Sequence, residues 1–230
     1  MLFLSALLAG SAWAGAGSEA AGTRLGAGVF LYAAPGLGDP NFAETVVLLV
    51  RHGSEGAMGL IINRPTEAMA KEALPEAALA GLRVYRGGPV ERDGILALLR
   101  GSRPPPVAER VLDGVFLVRP ADLASVAGRG SAVDRDRDRV RVYAGYAGWG
   151  AGQLEKEIRL GGWVVGPAHA DALFTREPEA LWRKVFQLLQ RRQAACPGQT
   201  TLVRFAGPMS EFQTRPRPGS RGQAPLFTTR

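Results

Sequence analysis

The chain has 230 residues, of which 46% are hydrophobic and 21% charged, a balance that suits one globular domain and excludes a wholly disordered chain. Its 30 glycines and 16 prolines follow no Gly-X-Y period, and its single cysteine and two histidines exclude an internal disulfide and the usual closed zinc site. The net charge of +7 is spread thinly apart from the basic C-terminal stretch, and no apolar run reaches membrane-spanning length, so nucleic acid is disfavoured as a partner and no transmembrane span is expected.

Residues 1–24 differ in composition from the rest of the chain. Met1 to Ala9 is almost wholly apolar, and Ala12-Trp13-Ala14 places small residues where a signal peptidase reads. This is the layout of a secretory signal, although its start carries no Lys or Arg. The alternative is an upstream start codon and a disordered Ala/Gly extension. Cleavage of residues 1–14 would make the protein exported or periplasmic; otherwise it is cytoplasmic. Residues 25–206 read as a single domain and 207–230 as a disordered basic tail, with Arg215-Pro216-Arg217-Pro218 at its centre.

Within the domain, Val29 to Ala33, Thr45 to Arg51 and Met58 to Asn63 read as strands. Val46 to Val50 is apolar on both faces, so that strand should be central and covered on both sides. Arg51 to Gly56 reads as a hairpin loop. A short helix is expected after Pro65, with Ala68, Met69, Ala70 and Leu74 as its apolar positions. Leu82 to Tyr85 and Ile95 to Leu99 read as a strand pair around Gly87-Gly88-Pro89. Arg103-Pro104-Pro105-Pro106 reads as a stiff linker, Val115 to Val118 as a strand, and Pro120 to about Ala127 as a helix. The sign-alternating run from Asp134 to Arg139 reads as a solvated loop entering the strand Val140 to Ala144. Gly148 to Gly152 suits a tight strand-to-helix turn before a helix from Gln153 to Ile158. The strongest helical period is Pro178 to about Ala195, with Leu181, Trp182, Val185, Leu188 and Leu189 on one face. Thr201 to Phe205 reads as a last strand.

No P-loop, dinucleotide fingerprint or nucleophile elbow is present. His52 and His169 lack a second metal ligand at suitable spacing, and His52 lacks an oriented partner in the sequence. No catalytic residue, cofactor or metal is therefore assigned. Polar and glycine-rich segments do cluster at the ends of the apolar runs, where loops on rigid strands commonly carry binding chemistry. The binding candidates are Asn41, His52, Asn63, Arg64, Gly87, Gly88, Tyr146, Trp149, Gln153 and Glu155. Tyr146 and Trp149 would supply an apolar wall and the polar residues its contacts. Arg64 could instead pair with Glu155 and staple two loops.

Taken in order, Asp39-Pro40-Asn41-Phe42, Thr45-Val46-Val47-Leu48-Leu49, His52, Gly56-Ala57-Met58-Gly59-Leu60, Asn63-Arg64-Pro65, Gly87-Gly88-Pro89-Val90, and Gly145-Tyr146-Ala147-Gly148-Trp149 through Gln153-Leu154-Glu155 resemble the bacterial YqgE/AlgH family. The resemblance covers about Leu25 to Ala195. It departs at Leu98-Leu99-Arg100, where family members often carry Leu-His. It implies an α+β fold with a mixed, partly branched or barrel-like sheet flanked by short helices; the long C-terminal helix is read from the apolar period after Pro178. It brings no established catalytic residue or cofactor, and part of that family is described as transcriptional regulators. The expected function is a non-enzymatic binding or regulatory protein with a protein or small-molecule partner. A cryptic hydrolase-like enzyme using His52 or Glu155 is the alternative, and a transcriptional regulator the second.

Overall fold

The computed structural model describes residues 23–69, 82–102, 108–119, 122 and 139–195. Among the described residues ten strands form one branched sheet: β1 (Val29–Ala33), β2 (Val46–Gly53), β3 (Gly56–Ile61), β4 (Pro65–Met69), β5 (Arg83–Arg86), β6 (Val90–Arg100), β7 (Glu109–Leu112), β8 (Val115–Val118), β9 (Val140–Gly150) and β10 (Trp163–Pro167). Helix α1 (Gln153–Arg159) follows β9, and α2 (Ala170–Leu173), a 3-10 turn (Pro178–Ala180) and α3 (Leu181–Ala195) follow β10.

The main path runs β10-β1-β2-β3-β9-β6-β8-β7, and the branch lies on β9. The last residues of β9, Ala147 to Gly150, pair with β3, while Val142 to Ala144 pair with β5. The β5–β9 ladder is parallel and every other ladder is antiparallel. This is the mixed, partly branched α+β architecture expected.

Side-chain alternation along β2 explains its central place. Val46, Leu48 and Val50 enter one buried cluster with Phe30, Leu60, Leu98 and Tyr143. Val47 and Leu49 enter a second with Leu31, Ile61, Ala147 and Trp163. A strand apolar at every position needs cover on both faces. Leu154 and Ile158 of α1 cover the second face; Leu173 of α2 and Leu181 and Trp182 of α3 cover the first. The Trp182 indole N–H donates to the Ala33 carbonyl at 2.7 Å and so pins α3 to the end of β1.

The sheet curls into a half-barrel. β7 ends the strand path, yet its Glu109 carboxylate accepts the Arg51 Nε–H of β2 at 2.9 and 3.1 Å and pairs with the Arg51 Nη2 as well. At Gly28, with φ +80°, a Cβ would lie 2.8 Å from the Val111 carbonyl oxygen of β7. Glycine here permits both the left-handed turn and the close approach of β7 to the start of β1.

Some elements differ from expectation. The helix expected after Pro65 is β4 over Pro65–Met69, paired with β5; Ala70 and Leu74 lie outside the described residues. Tertiary pairing overrides the helical spacing of the apolar positions there, and the Thr66 hydroxyl donates to the Val84 carbonyl at 2.8 Å across the ladder. The hairpin loop shortens to Ser54-Glu55, because Gly53 and Gly56 already pair. The C-terminal helix begins as a 3-10 turn at Pro178. Strands β7 and β10 are not among the elements that periodicity predicts. The segment 1–22, the proline linker 103–106, most of the Pro120 helix and of the charge-alternating run, the strand 201–205 and the tail 207–230 lie outside the described residues.

Candidate functional site

Apart from the pair Gly87 and Gly88, the singled-out residues fall into three groups, and β2 separates the first two by holding them at opposite ends of its ladder. Asn63 and Arg64 lie beside Val46, at its start, and His52 lies six residues along, roughly 20 Å away at ordinary strand rise.

At the first end, Asn63 is 5% exposed and uses both ends of its amide. Its Oδ1 accepts the Val46 N–H at 2.8 Å, and its Nδ2 donates to the Glu44 carbonyl at 2.9 Å. This holds Glu44 at φ 54°, a conformation unfavourable for a non-glycine residue. The Arg64 guanidinium donates to the carbonyls of Asn41 and Ala43 at 2.8 Å and of Pro40 at 3.4 Å. Asn41 in turn gives its backbone and side-chain N–H groups to Asp39 Oδ1 at 2.8 and 3.0 Å. The turn between β1 and β2 is thus tied to the end of β3, and Arg64 is held rigidly. It pairs with this turn and not with Glu155.

Gly87 and Gly88 thread between β3 and β9. The Gly87 N–H donates to the Ala144 carbonyl and its own carbonyl accepts the Ile61 N–H, both at 2.8 Å. A Cβ on Gly88 would lie 2.0 Å from the Tyr146 carbonyl carbon. These glycines fill a backbone approach with no room for a side chain.

At the second end, His52 Nε2 lies 2.7 Å from Glu155 Oε1. Strand β2 presents the ring, and α1 presents the carboxylate from its first turn. The hydrogen bond from its own backbone N–H, and then the one with His52, hold the Glu155 carboxyl below its ordinary value of 4.5. A depressed carboxyl stabilises the fold above its unfolded value, and this contribution disappears as pH falls through the folded value. Glu155→Gln is therefore expected to lower the melting temperature near neutrality, with the difference from the parent shrinking as pH falls below 4.5 and through the folded value. Thermal melts across that range check this; a difference that grows as pH falls would contradict it.

The third group lies behind Glu155. Trp149 and Trp163 are 6% and 4% exposed, and both indole N–H groups donate to Glu157 Oε2, at 2.9 and 2.8 Å. Phe42 stacks on Trp149 at 6.0 Å between ring centroids and meets Trp163 edge-on at 5.5 Å. Gln153 Oε1 accepts the Gly150 N–H at 3.1 Å, closing the strand-to-helix turn, and its Nε2 donates to Glu157 Oε1 at 2.9 Å. Tyr146 is half-buried, with its hydroxyl 3.4 Å from Glu91. Glu157 is not among the candidates that the sequence points to. Its signal is two tryptophans near a short acidic helix, since buried indole N–H groups require an acceptor.

A cavity among the described residues touches two of the predicted residues, Asn63 and Arg64. It holds about 490 Å³ and is lined by Asn63, Arg64, Thr66, Glu67, Arg86 and Glu179, among others. Arg64 and Arg86 both line this cavity, and burial, and then the neighbouring Arg86, push the Arg64 guanidinium below its ordinary value. Sequence reasoning misses Arg86. Its signal is Arg83-Val84-Tyr85-Arg86, exposed at both ends and buried between, which puts a charge at the strand end just before the glycines. A second cavity of about 500 Å³ lies near Arg100, Asp113 and Arg139, away from every predicted residue. Among the described residues no group of three His, Cys, Asp or Glu side chains is placed to hold a metal. No helix among them is long and apolar enough to cross a membrane.

The chain is similar to known proteins over this same region. It is 38% identical over 160 residues to a UPF0301 protein of Thioalkalivibrio sulfidiphilus, covering 67% of this chain and 84% of that one. It is 38% identical over 173 residues to a UPF0301 protein of Streptomyces coelicolor, covering 70% and 84%. The solution structure of the AlgH protein from Pseudomonas aeruginosa superposes with a TM-score of 0.55 at 34% identity, over 78% of this chain and 93% of that one. A crystal structure of protein DIP2367 from Corynebacterium diphtheriae shares the fold, with a TM-score of 0.58 at 22% identity over 72% and 87%. The AlgH-like family model matches residues 30–194, from the first strand to the end of the last helix, and the chain belongs to the AlgH-like family.

Proposed function

We propose that this AlgH-like protein is a non-enzymatic binding protein that takes an anionic group into the cavity between Arg64 and Arg86. The carrying observation is that Arg64 and Arg86 both line one cavity of about 490 Å³. Arg64 is locked by backbone carbonyls, so little ordering remains to be done when a ligand arrives. Arg86 is exposed at the end of β5 and reaches the same space with a side chain that makes no hydrogen bond or ion pair among the described residues. Like charges brought together are favoured by an anion between them. Calorimetric titration with succinate and with inorganic phosphate tests this. Saturable binding of one of them is expected, weakened by about tenfold or more in Arg86→Gln, the usual scale for losing a charge-assisted contact. Binding of neither anion, or binding indifferent to Arg86, overturns the reading.

A second reading rests on His52 and Glu155. A carboxylate 2.7 Å from one ring nitrogen orients the other, as a general base requires. The nearby Ser54 hydroxyl lies 3.4 Å from Glu55 and is not directed to the ring. An esterase activity lost in His52→Ala would favour this reading over the first.

A further inference from the structure

The same cavity carries charges of both signs. Arg64 arrives from the segment after β3, Glu67 from β4, Arg86 from the end of β5 and Glu179 from the 3-10 turn before α3. Four separate segments thus bring two cations and two carboxylates to one space. The side chains of Glu67, Arg86 and Glu179 enter no hydrogen bond or ion pair among the described residues. The neutral polar groups beside them are already engaged. Asn63 spends its amide on Val46 and Glu44, and Thr66 gives its hydroxyl to Val84. Recognition in this cavity therefore falls on charge.

Resting on the anion-binding reading above, we propose that the ligand is a small zwitterion, with a carboxylate facing Arg64 and Arg86 and an ammonium facing Glu67 and Glu179. A purely anionic ligand would be drawn to the arginines and repelled by both carboxylates. A purely cationic one would meet the reverse. A molecule with one charge of each sign at separate ends meets complementary charge at both, and misplaced like charge weakens the binding of the other two classes. The volume of about 490 Å³ falls in the range of small-molecule sites. Because three of the four charged side chains are exposed, affinity falls as salt rises.

Two length-matched series test this by calorimetry on the full chain: succinate, 4-aminobutanoate and 1,4-diaminobutane, then adipate, 6-aminohexanoate and 1,6-diaminohexane. In at least one series the amino acid is expected to bind about tenfold tighter than both its dicarboxylate and its diamine, a margin set by one well-placed charge contact. Glu179→Gln should bring the amino acid to the level of the dicarboxylate and leave the dicarboxylate unchanged or tighter. Glu179 is exposed on a short turn, so this variant is expected to fold, and Glu67→Gln provides an independent second test. A dicarboxylate that matches the amino acid in both series overturns the zwitterion and leaves anion binding standing. A diamine that binds tightest, or no binding in either series, overturns both.

Discussion

Gly88→Ala is expected to cost at least about 3 kcal/mol, more than most small-to-large changes in a core. The added Cβ would lie 2.0 Å from the Tyr146 carbonyl carbon, 2.1 Å from its oxygen and 2.3 Å from the Ala147 nitrogen. All three atoms belong to the backbone of β9, so no rotamer change relieves the contact. The strand that β3, β5 and β6 all pair with has to move. For a chain of this size the expected fall in melting temperature is roughly 10 °C. Gly53→Ala is the matched control, since a Cβ there meets nothing within 4 Å. Equal melting temperatures for the two variants would show that the glycine pair is not a packing requirement and would return it to the ligand-contact candidates.

The second large effect belongs to Glu157. Glu157→Leu leaves the Trp149 and Trp163 indole N–H groups without their acceptor inside the sheet–helix interface. Each unsatisfied buried donor costs about 1–3 kcal/mol, so the two together are expected to cost about 2–6 kcal/mol. Glu157→Gln keeps an amide oxygen for the two indoles and turns an NH2 toward Gln153, which now donates to Oε1. Only that one outer hydrogen bond is lost, at about 1 kcal/mol. Urea denaturation followed by tryptophan fluorescence separates the two variants. Equal stability would mean that the indoles find another acceptor once the carboxylate is gone.

Residues whose role is set by nearby chain are the legible ones. The run Val46 to Val50 announces a strand buried on both faces because no polar position interrupts it. The helix at Leu181 shows its period. Pro65 to Met69 misleads because its apolar spacing is helical, while its state is set by a ladder with β5 that arrives from later in the chain. The site is harder for the same reason. His52 and Glu155 are 103 positions apart, and no spacing rule joins them. Arg64 has an equally plausible partner in Glu155, and only the turn at Asp39 to Ala43 decides the matter by offering carbonyls at shorter reach. Arg86 and Glu179 look like ordinary surface charges until β5 and the 3-10 turn set them around one cavity.

The order of strands has a consequence for how the protein is made. β1 leaves the ribosome well before β10, which pairs one of its two edges, with Val29 opposite Pro167. Until that late segment emerges, β1 and β2 can form a ladder with β3 but present an open apolar edge. The parallel β5–β9 ladder waits similarly for Val142. Long-range pairings of this kind slow folding and leave nascent edges exposed to other chains. Arrest of translation just before Trp163 should therefore yield an aggregation-prone, chaperone-bound intermediate, whereas release of a few dozen further residues should let it close.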